Sequence, residues 1–460
     1  MGLRRFLVVA VVALACAGPA AAAAPQELTV TATDGTALAC GLVLPDGAPP
    51  EGGWPGLLLF HGLGQTHAAM EAVAESVFAP AGYASLACDA RGTGASGGAF
   101  GLDGPAETQD ARDLFAWLAA RPDVSDTQIG AYGVSLGGGA VWNAAVAGVP
   151  FAAIAPSLAW TSLGTALAPQ NVPKAGIVAQ IAAAVPAERW DPELAAARDA
   201  LLGGAVTAAV TKQTLTRSAR NALQELGTPT LILQGRRDYL FDLDQALTAY
   251  RLLPGPKRLY VGDLGHAPAA NPADEAPVYL GEVVTWFDRW LRGTANGIDA
   301  AKQVELAHDP WDGRTSSYAG LPATRTASVA LPGTATLLPG RSVSRAARLT
   351  GGPHESFGGG SVVVRYSGAK SWPRLVATVY VAGSATPVTL GAARIGRASG
   401  VVTIKLLDEV AKLPRGRKLV VTLAATSGAD GVYTQPAPAG ASITVGRATL
   451  KLSLLRVPTR

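Results

Sequence analysis

The stretch Thr127-Gln-Ile-Gly-Ala-Tyr-Gly-Val-Ser135-Leu-Gly-Gly-Gly-Ala-Val-Trp-Asn143 constrains this chain more than any other. It reads as a short strand, a sharp turn with a serine at its apex, and an apolar, alanine-rich helix. Gly133-Val-Ser135-Leu-Gly137 fits the G-x-S-x-G pattern, in which a strained strand-to-helix turn lifts a serine Oγ clear of a sheet. Side chains two residues away on either side would collide with neighbouring backbone, which explains the glycines. The amide of Leu136, at the helix N-terminus, points to the same space and can stabilise an oxyanion there.

The same pattern occurs at Gly94-Ala-Ser96-Gly-Gly98. Context separates the two. Ser96 follows a strand-like run, Tyr83–Asp89, but glycines rather than a helix come after it, so it is expected to be a flexible loop serine. Ser135 has a strand before it and a helix after it, as a nucleophile requires.

A chain of 460 residues allows a large domain and a smaller one, because single cores stop growing near 250–300 residues. Hydrophobic residues make up 48%, but most of the excess is alanine spread along the chain. The N-terminus alone has a continuous apolar run. Arg4 and Arg5 give it a basic start, Phe6–Ala17 an apolar core, and Ala20–Ala24 small residues suited to a signal peptidase. Residues 1–24 are therefore expected to be a signal peptide and the protein to be secreted or associated with the cell envelope. A retained anchor, or lipidation at Cys16, is the alternative. With Cys16 removed, Cys40 and Cys88 remain, and an exported chain can oxidise them. No Cys or His cluster has metal-ligand spacing, so neither a metal nor an organic cofactor is expected.

The net charge of +4 conceals an asymmetry. Between residues 25 and 300, 16 Lys and Arg stand against 27 Asp and Glu; between 301 and 460, 20 stand against 7. That split suggests two domains with different surfaces. Along the first, strand-like and helical segments alternate: the apolar run Gly56–Phe60 ending in His61-Gly-Leu-Gly64, a helix from Gln65, strand 83–89, helix 105–120 and then the Ser135 turn. Strands near 151–157, 230–234 and 258–261 follow. The alternation predicts an α/β fold with a doubly wound, mostly parallel sheet and a site at the strand C-termini. Residues 161–227 show helical patches without a strong strand and are expected to form a helical cap. From Ala301 short β-branched segments separated by Gly, Pro, Ser and Asp predict a C-terminal β-sandwich over 301–460.

Ser135, Asp238 and His266 each follow a predicted strand, in the chain order Ser…Asp…His of α/β-hydrolases. Ser135 would attack an acyl carbon, His266 would take and return the proton, and Asp238 would hold the imidazole tautomer. Asp242, Asp244 and Asp263 are rivals for the acid but lie further from the strand end. His61 reads as structural. Leu63 and Leu136 would supply the oxyanion amides.

Three pieces together resemble one family: the Ser135 turn, the loop Asp89-Ala-Arg91-Gly-Thr-Gly-Ala-Ser96-Gly, and Trp286-Phe-Asp-Arg-Trp-Leu-Arg-Gly-Thr-Ala-Asn-Gly297. They are similar to the cocaine-esterase and X-Pro dipeptidyl-peptidase serine hydrolases, in which an α/β-hydrolase domain with a helical cap precedes a jelly roll. The resemblance implies hydrolysis of a small ester or short peptide without a cofactor, with Trp286–Gly297 marking the passage into the jelly roll. One departure stands out. The family usually places a tyrosine after the third strand, whose hydroxyl joins the oxyanion hole, whereas this chain has His61-Gly-Leu-Gly64, as simpler esterases do. A carboxylic ester is therefore the expected substrate, with X-Pro peptide or amide bonds as the alternative.

The cap acids Glu188, Asp191, Glu193 and Asp199 could bind a substrate amine or form a solvated helix face. In the usual α/β-hydrolase strand order the second and fourth strands are antiparallel neighbours, so Cys40 and Cys88 are expected to pair as a disulfide. No nucleic-acid partner is expected. The cationic residues of the last domain, among them Arg341, Arg345, Arg348, Arg394, Arg415 and Arg417, could face anionic envelope polymers or dock against the acidic first domain. A protein of another class, a non-catalytic envelope-binding protein on a hydrolase scaffold, would carry the same surface.

Overall fold

The computed structural model describes residues 25–459, so the expected signal peptide and Cys16 lie outside the described residues. The chain enters a ten-stranded sheet through the antiparallel pair β1 (Gln26–Thr31) and β2 (Ala37–Val43). Then come β3 (Trp54–Phe60), α1 (His67–Val73), β4 (Ala84–Cys88), α2 (Pro105–Ala119), β5 (Val124–Val134), α3 (Leu136–Val146) and β6 (Ala153–Ser157). Four helices follow: α4 (Leu163–Leu167), α5 (Ala175–Ala183), α6 (Pro192–Leu202) and α7 (Ala208–Leu215). The sheet resumes with β7 (Thr230–Gly235), α8 (Asp244–Leu252), β8 (Lys257–Gly262) and α9 (Ala276–Trp290), and closes with β9 (Val304–Ala307) and β10 (Thr315–Tyr318).

The strand order is β1-β2-β4-β3-β5-β6-β7-β8-β9-β10, parallel from β4 through β9. The central strands are buried on both faces, which is why β3 and β7 read as near-continuous apolar runs. The crossing from β4 to β3 to β5 puts the C-terminal ends of β3 and β5 side by side. That is where an open α/β sheet leaves a crevice.

β2 and β4 pair antiparallel with Cys40 opposite Cys88, and the two sulfurs are bonded with Cα atoms 4.0 Å apart. The cap sits between β6 and β7 as four short helices in an apolar cluster shared with the loops over the sheet and with the second domain. Among the described residues no helix is long and apolar enough to cross a membrane.

The boundary with the second domain differs from the expected 300/301. Residues 304–318 form β9 and β10, which extend the first sheet at its edge, so the sandwich begins near Thr324. Trp286–Gly297 leads into these edge strands rather than directly into the sandwich. Charge counting could not see this, because β9 pairs with β8 through its backbone. The second domain packs an antiparallel sheet built on the long strands His354–Lys370 and Ser442–Leu455 against a four-stranded antiparallel sheet, with one apolar core between them. The two domains bury contacts against one another: Leu243 and Phe357 share one apolar cluster, and Tyr433 packs with the cap.

Candidate active site

Ser135 stands between β5 and α3 with φ 58° and ψ −114°, a conformation costly for a side chain larger than glycine. The turn tolerates it because its neighbours lack side chains. A Cβ on Gly133 would come within 2.2 Å of the Gly137 carbonyl oxygen, and one on Gly137 within 2.0 Å of the Phe60 carbonyl oxygen. The turn is tied down by the Ser135 amide, which donates to the Ser157 carbonyl at 2.9 Å.

His266 lies in the loop after β8, and Asp238 in the turn after β7. Ser135 Oγ is 2.9 Å from His266 Nε2, and His266 Nδ1 is 2.7 Å from Asp238 Oδ2. With the Nδ1 proton kept on the ring and donated to Asp238, Nε2 is left to accept from the serine. All three are buried. The other Asp238 oxygen accepts from the amides of Leu240 and Phe241, each at 2.9 Å, so the carboxylate is held at both ends. Phe241 also packs edge-on against the His266 ring at 5.3 Å. The three rivals are engaged elsewhere. Asp242 accepts from the Asp408 amide, Asp244 pairs with Arg220, and Asp263 accepts from the Ala270 amide.

The Leu63 turn follows β3 and lies alongside Ser135; a Cβ on its neighbour Gly62 would be 3.6 Å from the Val134 carbonyl oxygen. Neither the Leu63 nor the Leu136 amide has a hydrogen-bond partner among the described residues. His61 braces the turn. Its Nδ1 donates to the Gly62 carbonyl at 2.8 Å, and its Nε2 accepts from the Ala90 amide at 2.9 Å.

The turn bearing Asp238 is gripped from outside its own domain, which the sequence did not disclose. The Asp238 amide donates to Glu409, from the second domain, at 3.0 Å. Tyr239 Oη donates to the Pro387 carbonyl at 3.0 Å. Arg236, fully buried, pairs with Glu355 of the second domain and donates to the Ala307 carbonyl. Lys174, fully buried at the start of α5, donates from Nζ to the Tyr239 and Leu240 carbonyls at 2.8 and 3.3 Å. Burial lowers the Lys174 pKa and raises that of Glu409 well above the usual carboxylate range. Thus the buried ion pair between domains sets a cation of the first domain on an acid of the second, the reverse of what their net charges suggested. Arg345 is buried in its own sandwich, donating to the Leu331, Val445 and Gly446 carbonyls, while Arg394 reaches the Asn171 and Gly204 carbonyls of the cap.

A small cavity opens beside His266, lined by Ile177, Ile181, Tyr239, Leu240, Asp430 and Val432. Asp430 Oδ2 is sealed from solvent without a hydrogen-bond partner among the described residues, and burial raises its pKa. The cap acids considered from sequence do not line this cavity. Asp191 caps α6, Glu193 accepts from Gln213, and Asp199 pairs with Arg198.

The X-Pro dipeptidyl-peptidase family, S15, matches residues 34–268, just over half of the chain. The chain belongs to the S15 family. It is accordingly a serine hydrolase. No curated protein matches this S15 hydrolase significantly. Solved structures share its fold over both domains. A CocE/NonD family hydrolase from Staphylococcus aureus superposes with a TM-score of 0.69 at 14% identity, over 93% of each chain. An alpha-amino acid ester hydrolase gives 0.68 at 14% identity, over 95% of this chain and 98% of the other. An aminopeptidase from a marine sediment Thaumarchaeota archaeon gives 0.67 at 12% identity, over 94% and 96%. At these identities the likeness concerns the fold.

Proposed function

We propose that this S15 hydrolase is exported and cleaves carboxylic esters through an acyl-enzyme. The observation that carries this reading is the continuous hydrogen-bonded series Ser135–His266–Asp238 on a strained turn. Ser135 Oγ attacks the acyl carbon while His266 Nε2 accepts its proton, and the tetrahedral oxyanion is held by the amides of Leu136 and Leu63. His266 then protonates the leaving alcohol, and water delivered through the same imidazole releases the acid. Asp238 keeps the proton on Nδ1 and favours the transient imidazolium. Export is supported by the basic, then apolar, then small-residue pattern of residues 1–24 and by the Cys40–Cys88 bond. The exposed cations of the second domain, including Arg341, Arg348, Arg365, Arg397, Arg415 and Arg417, would hold the protein near anionic envelope polymers through screened attraction. Retention of the full chain on anionic cell-wall material that falls as salt rises tests this; retention indifferent to salt contradicts it.

A panel of p-nitrophenyl esters beside Ala-Pro and Gly-Pro anilides tests the substrate class. Ester turnover well above anilide turnover is expected, and the reverse order would replace the ester reading with a dipeptidyl-peptidase one. A second reading narrows the esters to those bearing a free amine, because Asp430 lines the cavity beside His266 and its side chain could turn to meet an ammonium group. Asp430→Asn should then raise KM at least tenfold for amino-acid esters and leave N-acylated ones unchanged. Equal effects on both would remove this reading.

A further inference from the structure

A second cluster of polar side chains, distinct from Ser135, His266 and Asp238, joins β1 to the start of α1 and the end of β4. Glu27 on β1, His67 at the start of α1 and Glu71 one turn further place one ligand-capable atom each within 4.8 Å of one another. His67 Nε2 is 3.2 Å from Glu27 Oε2 and 3.9 Å from Glu71 Oε1. The opposite ring nitrogen, Nδ1, is 2.8 Å from the buried carboxylate of Asp89. A histidine held by a carboxylate at one nitrogen, with the other turned toward two further carboxylates, is the arrangement that orients imidazole for a metal.

Glu71 gives the second, independent observation. Its side chain is only 7% exposed, and Oε1 is buried without a hydrogen-bond partner among the described residues. A buried carboxylate oxygen without a donor is costly. The chain makes room for it all the same. A Cβ on Gly41 would sit 1.4 Å from Glu71 Oε1, so glycine at that position leaves room for the carboxylate where it stands. Gly41 pairs with Glu27 across the β1–β2 ladder, so both acids converge on one spot of the sheet. The Cys40–Cys88 bond joins the residue before Gly41 to the residue before Asp89, fixing the strands on either side. Among the described residues, His67 is the one basic side chain within 4.0 Å of Glu27, Glu71 or Asp89.

We propose that Glu27, His67 and Glu71 bind one divalent transition-metal ion of the zinc type, with Asp89 orienting His67 from behind. One imidazole and two carboxylates suit zinc better than calcium or magnesium, which take oxygen ligands. Ligands around a tetrahedral zinc lie about 3.3 Å apart, given metal–ligand bonds near 2.0–2.1 Å, so small side-chain rotations close the site. Glu27 is 69% exposed, leaving an entry path and room for water as a fourth ligand. The ion would tie the first strand to α1 and offset most of the charge of three clustered carboxylates.

The test uses the full chain purified without a polyhistidine tag, stripped by chelator and titrated with Zn2+ at pH 7.5. Binding is followed by calorimetry and by metal content after gel filtration. One zinc per chain with micromolar or tighter affinity is expected, with at least tenfold weaker binding in Glu27→Gln and in Glu71→Gln. Glu27 is exposed at the sheet edge, so its variant should melt like the wild type in chelator and decides the matter even if Glu71→Gln does not fold. The proposal is overturned if no stoichiometric zinc is retained, or if Glu27→Gln binds zinc within tenfold of the wild-type affinity, which would place the ion elsewhere.

Discussion

Ser96 and Ser135 carry the same five-residue pattern, yet the structure uses them in opposite ways. Ser96 Oγ donates to the Asp89 carbonyl at 2.7 Å and accepts from the Ala39 amide at 3.0 Å. It is buried and fully occupied: a pin between the loop and β2, rather than the flexible loop serine that its glycine-rich surroundings suggested. Ser135 Oγ meets an imidazole that can take its proton, and its backbone is strained so that the oxygen faces the crevice. A pattern of glycines and serine therefore specifies a tight turn. Chemistry comes from the helix that follows and from what the sheet brings opposite.

The sharpest way to break this contrast is Ser135→Ala. Removing the proposed nucleophile should cost at least about 10⁴-fold in turnover, with the fold retained, because the oxyanion donors alone leave little catalysis. Asp238→Asn should cost about 10⁴-fold in kcat, since the amide would leave His266 in the wrong tautomer. A loss below tenfold in steady-state kinetics would return the acid's role to a rival.

pH acts on the loop opposite Ser135 and not on either serine. The loop bearing His266 leans on Glu275, whose buried carboxylate accepts from Tyr260 Oη at 2.9 Å and from the Asp263 amide at 3.2 Å. Burial pushes its pKa up to about 7, from an ordinary value of 4.5. A raised folded-state pKa means the folded chain holds the proton more tightly. The stabilisation is complete below pH 4.5 and is lost as pH rises to about 7, an effect on the order of 3 kcal/mol. Melting of Glu275→Gln across pH 4.5–7 should lack that part of the wild-type slope; identical slopes would contradict it. The smallest effect belongs to Ser96→Ala. It should leave kcat and KM unchanged while lowering stability by about 1–3 kcal/mol, read by denaturant unfolding, because the Ala39 amide loses its acceptor.

The parts legible from sequence were those written locally. Strand, turn and helix around Ser135 follow from periodicity and glycine, and Asp238 and His266 follow from their places just past apolar strand runs. The facing of Cys40 and Cys88 follows from strand order once the fold class is known. What escaped was written at long range. Glu409 reaches Asp238 across 171 residues, and Lys174 reaches Tyr239 across 65, with no periodicity to announce either. Both meet the Asp238 turn because the sandwich and the cap close over it. The cluster of Glu27, His67 and Glu71 likewise exists only once β1 lies beside α1. Strands β9 and β10 sit inside the basic half of the sequence and still belong to the first sheet, since backbone pairing ignores net charge.

The central claim, that Ser135 and not Ser96 is the nucleophile, is tested most directly by covalent labelling. The full chain is treated with a fluorophosphonate and digested, and the modified peptide is sequenced by mass spectrometry. One adduct is expected, on Ser135, absent in Ser135→Ala and retained in Ser96→Ala. An adduct on another serine, or labelling that survives Ser135→Ala, would contradict it.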